Sequence, residues 1–201
     1  MKKVDLERSL EGLEPLPRPQ ARLEQYPTPP GIAAEVVYIA LGRGDIEGRA
    51  VLDAGCGNGI LGIAAALLGA ASVVGIDVDP EAIEIARRNG RRLAPDASWR
   101  VADIGGIEGV FDTVLMNPPF GAQRRHADLP FLDRALSLGG VVYSFHNGKA
   151  EAFIARRIGS RGGRITDRIE YAFPVRRAFA FHRRDVARIP VLLLRTEAAK
   201  E

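Results

Sequence analysis

With 201 residues, 46% of them hydrophobic and 26% charged, the chain is long enough for one domain with a real core and short for two. Cys56 is the lone cysteine, which excludes an internal disulfide, and His126, His146 and His182 are too scattered for a metal site. The N-terminus lacks a signal-peptide core and no apolar run reaches membrane-spanning length, so a cytoplasmic protein without metal or membrane association is expected.

Charge is unevenly placed. Residues 1–100 carry 12 Lys+Arg against 14 Asp+Glu, residues 101–201 carry 16 against 11, and residues 147–184 carry 10 against 3. Nearly all of these cations are arginine, which suits phosphate binding and base stacking. An arginine-rich coding bias is the bland alternative, and the local clustering argues for more than bias.

In chain order, residues 4–14 read as a short amphipathic helix, followed by the proline-punctuated "PLPRPQARLEQYPTPPG" and a helix over 31–42 with Pro30 near its start. Strands are then expected at Ala50–Ala54, Ser72–Asp77, Ser98–Ala102, Phe111–Met116 and Gly140–His146. Helices at 60–69, 80–92 and 128–138 alternate with them, and another is expected at 148–159. Buried strands with crossover helices imply a Rossmann-like, doubly wound α/β sheet, mostly parallel. The late strands 164–173 and 189–195 have no obvious helix between them and read as an antiparallel pair at one edge, making seven strands in one domain. Residues 1–45 would form a helical, proline-rich lid segment within that domain.

The stretch "VLDAGCGNGILGIAAALLGA" is strand, glycine turn, helix. Gly55, Gly57 and Gly59 let the backbone turn tightly and approach a ligand, and the next helix points its amides at the same place. Asp77 ends the second strand 22 residues after Gly55, where a carboxylate can take both hydroxyls of a ribose. Gly57–Gly62 also matches the dinucleotide pattern GxGxxG. The acidic opening at Asp53, however, favours S-adenosylmethionine (SAM), whose methionine ammonium needs a negative neighbourhood. Asp103, closing the third strand, could bind the adenine amino group, or could serve as a turn residue or helix cap.

The fourth strand ends in Asn117-Pro118-Pro119-Phe120, at the carboxyl edge where open α/β sheets bind ligands. An exocyclic or amide nitrogen is a poor nucleophile because its lone pair is delocalised. The Asn117 side-chain oxygen and the Pro118 carbonyl can accept from its NH₂ and favour the lone-pair-bearing form. The prolines hold that carbonyl still, and Phe120 offers a stacking face worth about 1–3 kcal/mol.

These motifs resemble the small N6-adenine rRNA methyltransferases of the "methyltransferase-like protein 5" type and their archaeal relatives, which are class I SAM-dependent enzymes. The resemblance covers nearly the whole chain. It runs through "LEQYPTPPGIAAEVVYIA" (23–40), "DIEGRAVLDAGCGNGILGIAAALLGA" (45–70), "VVGIDVD" (73–79), "FDTVLMNPPFG" (111–121), "VVYSFH" (141–146) and "YAFPVRRAFAFHRRD" (171–185). It implies SAM contacts from Gln25, Thr28, Gly55, Asn58, Ile60, Asp77, Val78, Asp103 and Ile104, with Asn117 to Phe120 catalytic. Asn58 departs from the Thr, Cys or Ser common in relatives.

The expected substrate is the N6 of an adenosine in small-subunit rRNA, unstacked to reach the pocket. Arg124, Arg125, Lys149, Arg176, Arg177, Arg183 and Arg184 are the expected phosphate contacts. The resemblance further implies a small zinc-binding activator subunit at the Ser98–Ala102 edge. There Trp99 alternates with Arg100, and its ring faces either outward or, as favoured, into the core. A protein glutamine N5-methyltransferase and a DNA adenine-N6 methyltransferase share the Asn-Pro-Pro clamp but usually bring extra recognition domains. A SAM- or RNA-binding relic without catalysis is the non-enzyme alternative.

Overall fold

A computed structural model describes residues 1–17, 19–20, 23–120, 128–176 and 186–199. Its elements are α1 (Lys3–Glu11), α2 (Pro30–Gly42), β1 (Ala50–Ala54), α3 (Ile60–Leu67), β2 (Ser72–Asp77) and α4 (Pro80–Leu93). These are followed by β3 (Ser98–Val101), β4 (Phe111–Met116), α5 (Leu129–Leu138), β5 (Gly139–Asn147), α6 (Glu151–Ser160), β6 (Arg164–Arg176) and β7 (Val186–Glu197).

The sheet has seven strands in the order β3-β2-β1-β4-β5-β7-β6. The first five are mutually parallel, and β7 runs antiparallel between β5 and β6. Near-continuous burial along β1 and β4 suits strands covered on both faces. One face is covered by α1, α2, α3 and α4 through Leu6, Val37, Ile63 and Ile83, the other by α5 and α6 through Leu132 and Ile154. Chain order reverses between β1 and β4, and such a switch point opens a crevice at the carboxyl ends of the strands. The glycine turn and the Asn-Pro-Pro turn leave from those two strands, so topology alone puts them side by side.

Several boundaries differ from expectation for physical reasons. Helix α1 stops at Gly12 instead of running to residue 14, because the backbone of Glu14 is taken by Asn89, which accepts from its N–H at 2.9 Å. Strand β3 ends at Val101, one residue early, although the Ala102 amide still bonds to the Asp77 carbonyl at 3.0 Å. Strands β6 and β7 are longer than expected despite Pro174 and Pro190. Strand β6 lies at the sheet edge, and Pro190 lies past the last β5 pairing, Asn147 with Val191, so neither proline interrupts a ladder on both sides. Residues Ala172–Arg176 and Val186–Pro190 therefore form a two-stranded arm projecting beyond β5 at the carboxyl edge.

At the opposite edge, buried Asp45 binds the Tyr143 hydroxyl at 2.6 Å and Arg195 Nε at 2.8 Å, fastening the antiparallel pair to the loop before β1. Among the described residues, no helix is long and apolar enough to cross a membrane.

Candidate active site

A cavity of about 330 Å³ opens at the switch point. Its floor is the glycine turn, where Gly55, Gly57 and Gly59 adopt φ of 71°, 55° and 86°. That left-handed conformation favours glycine and lets the chain double back within five residues. Gly55, Gly57, Asn58 and Ile60 line the cavity. Gly59 does not; it caps α3, and a Cβ there would lie 2.9 Å from the Trp99 ring.

Two carboxylates face this floor. Asp77 accepts from the Gly57 amide and the Asp79 amide, each at 2.9 Å, so it shapes the turn while remaining on the cavity wall. Asp53 is 1% exposed and accepts from the Gly62 amide at 2.7 Å. Burial is the main cause that pushes the Asp53 carboxyl up to about 7; the Gly62 amide opposes the rise and the Asp77 charge adds to it. Burial also raises Asp77 above the usual carboxylate range, against its two amide bonds. Two desolvated carboxylates that, among the described residues, hold only backbone partners suit a ligand that brings positive charge and hydroxyl donors. SAM fits on both counts.

On the far side of β2, Val78, Asp103 and Ile104 form a wall. Asp103 lines the cavity and also accepts from the Gly105 amide at 2.8 Å, capping the 3-10 turn Ile104–Gly106. Capping and ligand binding are compatible, since one carboxylate offers several acceptor sites.

The proline-rich segment after α1 crosses the cavity as a strap. Gln25 lines the cavity, but its amide is already engaged. Oε1 accepts from the Gln20 amide at 2.7 Å, and Nε2 donates to Asp79 at 2.8 Å. Asn58 is similar: it lines the cavity while its Nδ2 donates to the Glu14 carbonyl at 3.1 Å. At the strap's other end, Asn117 Nδ2 donates to the Thr28 hydroxyl at 3.0 Å and to the Tyr26 carbonyl at 3.3 Å.

Asn117, Pro118 and Pro119 line the same cavity. Phe120 stands just outside it, edge-on to Phe173 of β6 at 6.5 Å, and Phe173 in turn meets Phe145 of β5 at 5.2 Å. The aromatic after the prolines is thus braced by the sheet's antiparallel edge. The structure adds Phe131 of α5, which also lines the cavity and would touch a Cβ on Gly55 at 3.4 Å. Helical periodicity marked α5 but gave no sign that Phe131 reaches the site.

Trp99 enters the core, 6% exposed, in a slot made by glycines. A Cβ would lie 2.2 Å from the ring at Gly75, 2.4 Å at Gly90 and 3.1 Å at Gly62. Gly62, the last glycine of the GxGxxG pattern, therefore serves indole packing and the Asp53 bond, with no pyrophosphate required.

Of the expected RNA contacts, Lys149 sits on the 3-10 turn after β5, its amide bonded to the Asn147 side chain at 3.0 Å. Arg176 closes β6, its side chain outside the described part. Arg124, Arg125, Arg177, Arg183 and Arg184 lie outside the described residues. The arm that leads to 177–185 adds an exposed cation that the sequence did not single out, Arg188, opposite Pro174.

The switch-point cavity, the acidic strand ends and the Asn-Pro-Pro turn together define a class I SAM-dependent methyltransferase. Comparison with known proteins narrows this. The family model for ribosomal protein L11 methyltransferase (PrmA) matches residues 37–117, covering the glycine turn and the acidic strand ends but stopping before the prolines. Over nearly its whole length the chain is 37% identical to the rRNA N(6)-adenosine-methyltransferase Mettl5 of Drosophila melanogaster, covering 98% of this chain and 96% of that one. It is likewise 37% identical to MJ0284 of Methanocaldococcus jannaschii, covering 98% and 94%. The crystallised protein PH1948 of Pyrococcus horikoshii superposes with a TM-score of 0.93 at 36% identity, over 100% of this chain and 99% of that one. The chain belongs to the methyltransferase-like protein 5 family of rRNA N6-adenosine methyltransferases.

Proposed function

We propose that this protein transfers a methyl group from SAM to the N6 of an adenosine in small-subunit rRNA. The observation that carries the reading is one cavity lined at one end by Asp53, Asp77 and Asp103 and at the other by Asn117, Pro118 and Pro119. Asp77 would take the ribose hydroxyls, Asp53 the positive end of the methionine moiety, and Asp103 with Val78 and Ile104 the adenine. Bound SAM supplies an electrophilic methyl on a sulfonium.

The chain's own part is to position and polarise the acceptor nitrogen. Asn117 Oδ1 and the Pro118 carbonyl accept the two N6 hydrogens, which draws the lone pair out of the ring. Phe120, braced by Phe173, stacks on the base. No strong base is needed, since the amino group becomes acidic as the bond to the methyl forms and then gives its proton to an acceptor or to water. Holding the nitrogen in line contributes much of the rate.

The projecting arm of β6 and β7 supports RNA as the substrate. It starts at the carboxyl edge beside Phe120, and its connecting segment carries Arg177, Arg183 and Arg184. Arg176, Arg188 and Lys149 would add to the same phosphate-binding surface, with Arg124 and Arg125 following the clamp. A small zinc-binding activator pairing with the edge of β3 also belongs to this reading, since among the described residues that strand leaves one side of its ladder open and exposes Arg100 and Val101. A cytoplasmic setting accords with such a substrate.

The L11-type match raises a protein acceptor as the rival. Incubation with methyl-labelled SAM and either rRNA or total ribosomal protein separates the two. Label is expected in RNA; label confined to protein would overturn the assignment.

A further inference from the structure

The strap tied at Asp79 also reaches the clamp, and the chemistry of that contact fixes which way Asn117 faces. The groups that meet Asn117 from the strap are the Tyr26 carbonyl and the Thr28 hydroxyl. A carbonyl can only accept, so the end of the amide beside Tyr26 must be the NH₂ and not the oxygen. The flipped amide would set two oxygens against each other. With both N–H groups drawn toward the strap, Oδ1 is left for the cavity.

Thr28 is 5% exposed, so water competes little for this bond. Pro27 lies between the two accepting residues, Pro29 caps α2 and Pro30 opens it, so the backbone that presents them has little freedom. We infer that Thr28, together with the Tyr26 carbonyl, is a positioning residue that holds Asn117 with its oxygen turned to the acceptor amino group. This rests on the proposed role of Asn117 as the amino-group acceptor. It differs from a direct SAM contact by Thr28 in where a substitution shows: in the rate of transfer and the order of the Asn117 amide, not in cofactor affinity.

The experiment compares Thr28→Val, which keeps the shape and deletes the hydroxyl, with Thr28→Ser and Asn117→Ala. Three readouts are taken: SAM affinity by calorimetry, single-turnover transfer to unmethylated small-subunit rRNA at saturating SAM, and solvent exchange of the Asn117 side-chain amide by NMR, assigned by its absence in Asn117→Ala. In Thr28→Val, transfer should fall about tenfold, the scale of one deleted hydrogen bond. Its SAM dissociation constant should stay within about twofold, and the Asn117 amide should exchange faster. Thr28→Ser should restore both rate and slow exchange, as a mere packing role for the Thr28 methyl would not.

The inference is overturned if Thr28→Val keeps the parental rate and exchange, if its loss follows weaker SAM binding, or if Ser is as poor as Val. Should Thr28→Val fail to fold, Thr28→Ala carries the same expectation and the same refutation. Asn117→Ala tells the two levels apart. A fall of about a hundredfold there beside an unaffected Thr28→Val sinks only this inference. An unaffected Asn117→Ala sinks the clamp itself, and this inference with it.

Discussion

Asp53 makes the affinity for SAM depend on pH, and the perturbation to apply is a change from pH 7 to pH 5. In the protein alone its carboxyl is pushed from 3.8 up to about 7, chiefly by burial and further by the Asp77 charge. A ligand bearing positive charge favours the ionised form, so binding below pH 7 must first expel a proton. With the carboxyl fully ionised in the complex, the protonation penalty grows from about twofold at pH 7 to about a hundredfold at pH 5, a loss of roughly fiftyfold in affinity. The window stops at pH 7 because an α-amino group such as that of SAM titrates at about 8. Calorimetry at pH 5, 6 and 7 in two buffers of different ionisation enthalpy measures both quantities. Affinity should rise with pH, with nearly one proton released per SAM at pH 6. In Asp53→Asn most of the slope should vanish, leaving only what the raised Asp77 carboxyl contributes. The same shift acts on stability with the opposite sign. The folded value lies above the unfolded one, so the contribution is fully present below about pH 4 and is lost as pH rises through about 7. The ligand-free Asp53→Asn variant should therefore gain more over the parent at pH 8 than at pH 5. Flat SAM affinity with no proton release would refute the reasoning.

Other expectations concern packing and substrate. Gly75→Ala would place a Cβ 2.2 Å from Trp99, too close for side-chain adjustment alone, and should destabilise by about 1–3 kcal/mol in urea melts. An unchanged midpoint would mean that Trp99 does not fill the glycine slot. Replacing Arg176, Arg177, Arg183 and Arg184 by Gln should weaken RNA binding and flatten its salt dependence by about one log unit per log of salt for each phosphate no longer neutralised. SAM affinity should stay unchanged, and an unaltered salt slope would move the RNA surface away from the arm.

Much of this site was legible because its parts are local. Strand ends, the glycine turn and Asn-Pro-Pro announce themselves by residue type, and alternation of strand and helix puts them on one edge. Partners distant in sequence were harder to see. Gln25 reads as a cofactor ligand, and nothing in its neighbourhood in sequence shows that Asp79, 54 residues away, also holds its amide at the cavity wall. Gly62 matches a dinucleotide pattern and Gly75 and Gly90 carry no signal of their own, yet the structure gives the three a common purpose in seating Trp99. Phe131 is one apolar residue of an amphipathic helix, and only the packing of α5 against the glycine turn brings it to the cavity. The length of the β arm was hidden by Pro174 and Pro190, which break strands in general and are tolerated here because of where β5 ends.

The central claim is that Asn117-Pro118 presents an adenine amino group to SAM. The most direct measurement is nucleoside mass spectrometry of small-subunit rRNA after incubation with SAM and either the parent protein or Asn117→Ala. The parent should convert adenosine to N6-methyladenosine, and the variant should do so at least about a hundredfold more slowly while binding SAM normally. Methylation at another atom or base, or an Asn117→Ala variant within a few-fold of the parent, would contradict it.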